Sequence, residues 1–262
     1  MRITRLSLVA VLLAALALAS QAPAQGPIKI GFVQGLTGPF EVYAKQEVNG
    51  FKLGLEYATG GKLDVNGRKL EVLVEDDQLK PDVSKRLVTK LYADDKVDLV
   101  VGTTSSAAAL AILPVAAEFK KVLVVEPAVA DSITGEQWNR YVFRTARNSS
   151  QDAISNALAV AKPGVSIATI AQDYAFGRDG VAAYKAAVEK LGGHIVHEEY
   201  TPVQATDFTA SIQKIIASLK DRSGPKYVAV VWAGKGGPYK QLVDTRVDKY
   251  GITITSGGNV FD

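Results

Sequence analysis

The chain has no cysteine. That absence excludes disulfides, thiolate metal sites and a cysteine nucleophile together. It also removes the cysteine that a lipid-anchored bacterial precursor carries at its cleavage site. Histidine is nearly as scarce, with only His194 and His197. Positions three apart on a strand face opposite sides, so the pair cannot share a metal and reads as surface or half-buried. Charge of one sign is lacking too. A net charge of +3 over 262 residues has no concentrated basic footprint of the kind a nucleic-acid surface needs. Zinc, EF-hand, P-loop and dinucleotide-binding glycine patterns are all missing. Gly234-Lys235-Gly236-Gly237 has neither the spacing nor the Ser/Thr of a P-loop. Neither a metal nor a cofactor is expected.

What is present begins with a leader. Arg2 and Arg5 precede the apolar stretch Leu6–Ala19, 14 residues long, against the ~18 or more that a membrane-spanning helix needs. Ala22-Pro23-Ala24 then supplies the small residues of a cleavage site. Residues 1–24 read as a secretory signal peptide and Gln25 as the first mature residue. The mature product is expected to be soluble and periplasmic.

From there the chain alternates strand and helix patterns. Lys29–Gln34, Leu70–Glu75, Asp98–Gly102, Val122–Glu126, Ser166–Ala171, Ile195–Glu199, Tyr227–Trp232 and Ile252–Thr255 are short apolar runs, mostly continuous, as in strands covered on both faces. Helical stripes lie between them: Val48, Phe51 and Leu55; Val83, Leu87 and Leu91; Ile212, Ile215, Ile216 and Leu219. Asn66-Gly67 reads as a tight turn. Ser149-Ser150-Gln151-Asp152 fits a capping box before Ile154 and Leu158. The pattern predicts an α/β architecture of doubly wound, mainly parallel sheets. The rhythm breaks between Pro127 and Thr145, and Arg144–Asn148 reads as the passage from a first lobe (25–145) to a second (146–262).

Sheets of this kind bind ligands beyond the carboxyl ends of their strands. In the loop after Asp98–Gly102, the hydroxyls of Thr104, Ser105 and Ser106 and the free N–H groups of a first helical turn suit a carboxylate. Ordinary N-capping is the plainer reading of the same residues. Serine hydrolysis is the enzyme alternative, but Gly102-Thr103-Thr104-Ser105-Ser106-Ala107 is not G-x-S-x-G and both histidines sit together in a strand. A binder, not an enzyme, is expected.

The chain resembles the periplasmic substrate-binding proteins of branched-chain amino acid ABC importers, which have the two-lobed type I binding-protein fold. The resemblance is carried by Ile30-Gly31-Phe32, Leu36-Thr37-Gly38-Pro39-Phe40, Asn49-Gly50, Val74-Glu75-Asp76-Asp77-Gln78 and Val100-Val101-Gly102. It continues through Pro127-Ala128-Val129-Ala130, Phe143-Arg144-Thr145 and Asp173-Tyr174-Ala175-Phe176-Gly177. It implies a ligand carboxylate on the loop around Ser106 and backbone groups from Ala128, Val129 and Ala130 opposite. Aromatic walls would come from Tyr43 and Phe176, with Tyr174 and Trp232 nearby. The implied partners are a small molecule and a membrane ABC permease, with the protein itself a monomer.

Two departures from that family shape the expected ligand. Ala130 stands where amino-acid binders place a threonine, and Gly257-Gly258-Asn259 has no acid where they hold the ligand ammonium. Lys235 falls in a loop that often faces the cleft. An aromatic or otherwise apolar carboxylate is therefore expected in the cleft, touched by Asn259 and Lys235, with a branched-chain amino acid as the alternative. A periplasmic sensor serving a chemoreceptor is the other functional class. Family members usually continue beyond the point where this sequence stops, so the fold is expected to be incomplete at its C-terminus.

Overall fold

A computed structural model describes residues 26–257. The leader, its cleavage site, and Gly258 and Asn259 lie outside the described residues. Each apolar run of the sequence is a strand within two residues of its expected ends. The first sheet has the order β2-β3-β1-β4-β5-β6. Its strands are β1 (Ile28–Gln34), β2 (Asp64–Val65), β3 (Arg68–Asp76), β4 (Leu99–Gly102), β5 (Val122–Val125) and β6 (Val142–Arg144). The second sheet has the order β10-β9-β7-β8, built from β7 (Ser166–Gln172), β8 (His194–Thr201), β9 (Lys226–Val231) and β10 (Ile252–Ser256). All pairs are parallel except β2–β3, the hairpin at Asn66-Gly67. Both turn residues there have positive φ, 51° and 78°, as a type I′ turn requires.

Helices cover the sheets from both sides, because alternate strand residues are apolar on each face. In the first sheet, Val33, Val100, Leu123 and Val125 point toward α2 (Pro81–Ala93) and α3 (Ser106–Phe119). The alternate residues Ile30, Phe32 and Val101 meet Val48, Phe51 and Leu55 of α1 (Glu41–Ala58). Beside α1 that face carries an apolar groove of about 510 Å³. In the second sheet, Ile167 and Ala229 pack on α4 (Ser149–Val160) and α5 (Ala175–Lys190). On its other face, Ala168, Ile170, Val228 and Val230 pack on α6 (Thr209–Leu219) and α7 (Tyr239–Asp244). Burying Ile212, Ile215, Ile216 and Leu219 completely or nearly so contributes about 1.5–3 kcal/mol each.

One helix sits a residue away from its sequence reading. Asn148, not Ser149, caps α4, taking the Gln151 N–H at 2.9 Å while Gln151 Oε1 accepts the Asn148 N–H at 2.9 Å. This cap turns Ala153 and Ala157 inward and leaves Ile154 and Leu158 exposed. Two small alanines let α4 lie close to α5, where bulkier residues would hold the helices apart.

Candidate functional site

The carboxyl ends of the two sheets face each other across a cavity of about 330 Å³. Equivalent devices shape both sides. β1 ends in the buried Gln34, whose amide nitrogen donates to the Glu126 carbonyl (3.0 Å) and whose oxygen takes the Thr104 hydroxyl (2.7 Å). β7 ends in the buried Gln172, which clamps Ala233 through both its N–H and its carbonyl, each at 3.0 Å. A buried amide satisfied on both sides fixes the loop it grips.

The first wall comes from Phe40, at the N-cap of α1, and from Tyr43, Gln46 and Glu47 of that helix. Beside it, the turn after β4 brings Thr104 and Ser106. Ser105 occupies the N-cap of α3 with no side-chain capping bond. The Ser106 oxygen accepts the Ala130 N–H at 3.2 Å. Thr104 and Ser106 thus line the cavity, while Ser105 and Ala130 sit behind the lining.

Pro127, Ala128 and Val129 form the floor. The carbonyls of Ala128 and Val129 are already engaged. Arg144 donates to the carbonyls of Ala130 (3.0 Å) and Ala128 (3.4 Å), and the Ser149 N–H and hydroxyl both reach the Val129 carbonyl. Ala128 and Val129 therefore offer the cavity surface, not carbonyl acceptors.

The opposite wall is aromatic. Tyr174 caps the start of α5, Phe176 follows in its first turn with ring centroids 5.8 Å apart, and Trp232 leaves β9 with its ring edge-on to Phe208. Burial pushes the Tyr174 phenol far up, so it stays neutral. The two walls touch: the Gly234 N–H donates to the Tyr43 hydroxyl at 3.2 Å.

Among the described residues, charge in the lining comes from two. Arg147, in the segment between β6 and α4, holds its Nε 3.0 Å from both Asp152 oxygens. Burial first, and the nearby Glu126 second, push the Glu47 carboxyl up to about 8, so it is mainly uncharged at neutral pH. Lys235 is exposed and outside the lining, near enough to Glu41 to help lower that acid. Asn259 lies outside the described residues. His197 pairs with Glu199 at 2.9 Å, and among the described residues no cluster of three or more potential ligands could hold a metal. Among the same residues no helix is long and apolar enough to cross a membrane.

Residues 27–244 match the family described as periplasmic binding protein. The chain belongs to that family. A family of binding proteins agrees with the reading of this chain as a binder and not an enzyme. The curated Leu/Ile/Val-binding protein homolog 6 of Brucella abortus is 28% identical over 253 residues, 95% of this chain and 62% of that protein. A crystal structure of an ABC-type branched-chain amino acid transporter from Rhodopseudomonas palustris is 58% identical with a TM-score of 0.69, over 87% of this chain and 61% of that one. A solute-binding protein of an ABC transporter from R. palustris BisB5, in complex with 3,4-dihydroxybenzoic acid, is 32% identical with a TM-score of 0.72 over the same shares. The chain thus spans about three-fifths of the length of its relatives.

In this periplasmic binding protein, Phe40, Gln46, Glu47, Pro127, Arg147 and Ala233 also line the cavity, although none of them was named as a site residue from the sequence. Phe40 and Pro127 lie in motifs that carry the family resemblance, and a signal existed for two more. Glu47 lies four residues after Tyr43, one helical turn along the same face, and Arg147 falls inside the segment read as the passage between lobes.

Proposed function

We propose that this chain is the solute-capturing part of an ABC importer, exported to the periplasm after cleavage following Ala24, where it acts as a monomer. Two lobes, divided near Arg144–Asn148, close on a small aromatic carboxylate and present it to a membrane permease. The carrying observation is the chemistry of the cavity. Five aromatic side chains, Phe40, Tyr43, Tyr174, Phe176 and Trp232, wall a space of about 330 Å³, near the small end of the roughly 300–1,000 Å³ typical of ligand pockets. Its cation is Arg147, and its acid, Glu47, is held largely neutral. A carboxylate finds the Ser106 hydroxyl, whose oxygen takes the Ala130 N–H and whose proton is left to donate, and the Arg147 guanidinium, whereas among the described residues of the lining an ammonium finds no ionised acid, and burying one unpaired is costly. The cation that the sequence reading sought in Lys235 is better assigned to Arg147. The benzoate-type ligand in a relative of 32% identity supports the same choice.

A branched-chain amino acid is the second reading, favoured by the descriptions of the Brucella relative and of the 58% identical structure. Thermal-shift and calorimetric titration with benzoate, 4-hydroxybenzoate and 3,4-dihydroxybenzoate, against leucine, isoleucine and valine, separates the two. Stabilisation by the aromatic acids alone is expected. Tight leucine binding with no response to any benzoate overturns the first reading.

A further inference from the structure

Glu47 has a role that follows from hydrogen-bond direction, given the reading that the cavity holds a carboxylate. The Glu126 carbonyl can only accept, so the Gln34 side chain 3.0 Å away turns its NH₂ toward it. Gln34 Oε1 then faces Thr104, and takes the one proton of that hydroxyl at 2.7 Å. The Gly35 N–H, 3.2 Å from the same Thr104 oxygen, fills one of its lone pairs. Glu47 Oε2 lies 3.4 Å from that oxygen, and what remains for it there is an acceptor. A carboxylate would bring only lone pairs to this contact, whereas a carboxylic acid can donate to it.

The surroundings act in the same direction. Glu47 lies where the cavity meets the apolar groove beside α1, against Phe51 and Leu55. Glu126, at the end of β5, adds a second acid close by, with its Oε2 2.5 Å from the Thr145 hydroxyl. Among the described residues, the other titratable groups lining the cavity are Tyr43 on α1, Tyr174 from the second wall, and Arg147, which is engaged by Asp152. The Glu47 carboxyl is pushed up to about 8, within reach of ordinary buffers.

We propose that Glu47 carries the proton that lets this cavity accept an anion, so that capture of the ligand carboxylate fails as Glu47 ionises. Apparent affinity scales with the protonated fraction, so the Kd for benzoate should rise about tenfold between pH 7 and pH 9. Benzoate itself stays ionised throughout. E47Q, a neutral amide of nearly the same shape, should bind with a flat profile over that range. Calorimetry of the wild type at pH 8, in buffers of different ionisation enthalpy, should show about half a proton taken up per benzoate bound. That measurement needs no variant and holds even if E47Q does not fold. A flat wild-type profile with no proton uptake overturns the role of Glu47 and leaves the carboxylate reading standing. An equal decline in E47Q overturns it too, since another group would then be titrating. Failure of wild type and E47Q to bind any aromatic acid at pH 6 overturns both readings together.

Discussion

Gly234 tests whether the contact between the two walls is part of the ligand-holding state. It has φ +78°, and a Cβ built there would lie 2.6 and 2.8 Å from two ring carbons of Phe40 and 2.8 Å from the Pro39 carbonyl oxygen. Phe40 is buried and lines the cavity, so its ring has nowhere to yield except into the ligand space. Replacing Gly234 by alanine adds two separable costs. One is the left-handed backbone, about 1–2 kcal/mol for a residue with a Cβ. The other is the clash, about 1–3 kcal/mol by analogy with overpacking, felt only while the walls touch. Gly236 supplies the control. It lies in the same loop at φ +81° with nothing within 4 Å of a built Cβ, so Gly236→Ala reports the backbone cost alone. Both variants should lower the melting temperature of the free protein. Only Gly234→Ala should weaken ligand binding, by roughly 5- to 150-fold in Kd, read by isothermal calorimetry with the tightest-binding acid of the screen. Equal affinities for the two variants would refute the argument and place the Phe40–Gly234 contact outside the bound state.

Two other sites give predictions of opposite character. Gly177 lies inside α5, where alanine would ordinarily stabilise a helix by about 1 kcal/mol. A Cβ there would sit 1.9 Å from the Gln172 carbonyl oxygen, a backbone atom that cannot move aside. Gly177→Ala should therefore cost about 3 kcal/mol or more, seen as a lower urea midpoint with an unchanged slope, and a gain in stability would contradict the close approach. Glu199 is buried, which alone would raise its carboxyl, but bonds from Lys214, His197 and Ser211 outweigh burial and hold it below its ordinary 4.5. Its folded-state value is depressed, so its contribution is complete above the unfolded value and fades as pH falls through the folded one. Glu199→Gln should lower stability at pH 7 by about 1.5–3 kcal/mol, with wild type and variant converging toward pH 3. A gap that persists at pH 3 would assign the loss to packing instead of charge.

The fold was legible because its signals are local. Continuous apolar runs such as Val228–Val231 and stripes such as Ile212, Ile215, Ile216 and Leu219 state their own burial, and Asn66-Gly67 states its own turn. At the start of α4 the sequence reading took Ser149 as the cap and the structure uses Asn148; both are good capping residues, and the packing of Ala153 and Ala157 decides between them.

The site was legible by halves for a different reason. Post-strand loops could be searched directly, and Thr104, Ser106, Tyr174, Phe176 and Trp232 do converge on one cavity. Charge could not be placed in the same way. Lys235 stood in a suitable loop, yet its side chain is exposed, while Arg147 reaches the cavity from the segment between β6 and α4. Glu47 is further still from anything a loop search would find. It sits mid-helix between Gln46 and Val48, where an acid ordinarily signals a solvated face. Its character arises from residues distant in the chain: Gln34, Thr104 and Glu126 meet it only because β1, β4 and β5 lie side by side and end together. The protonation proposed for Glu47 thus depends on a hydrogen-bond order across the ends of three strands, and no single stretch of sequence carries it.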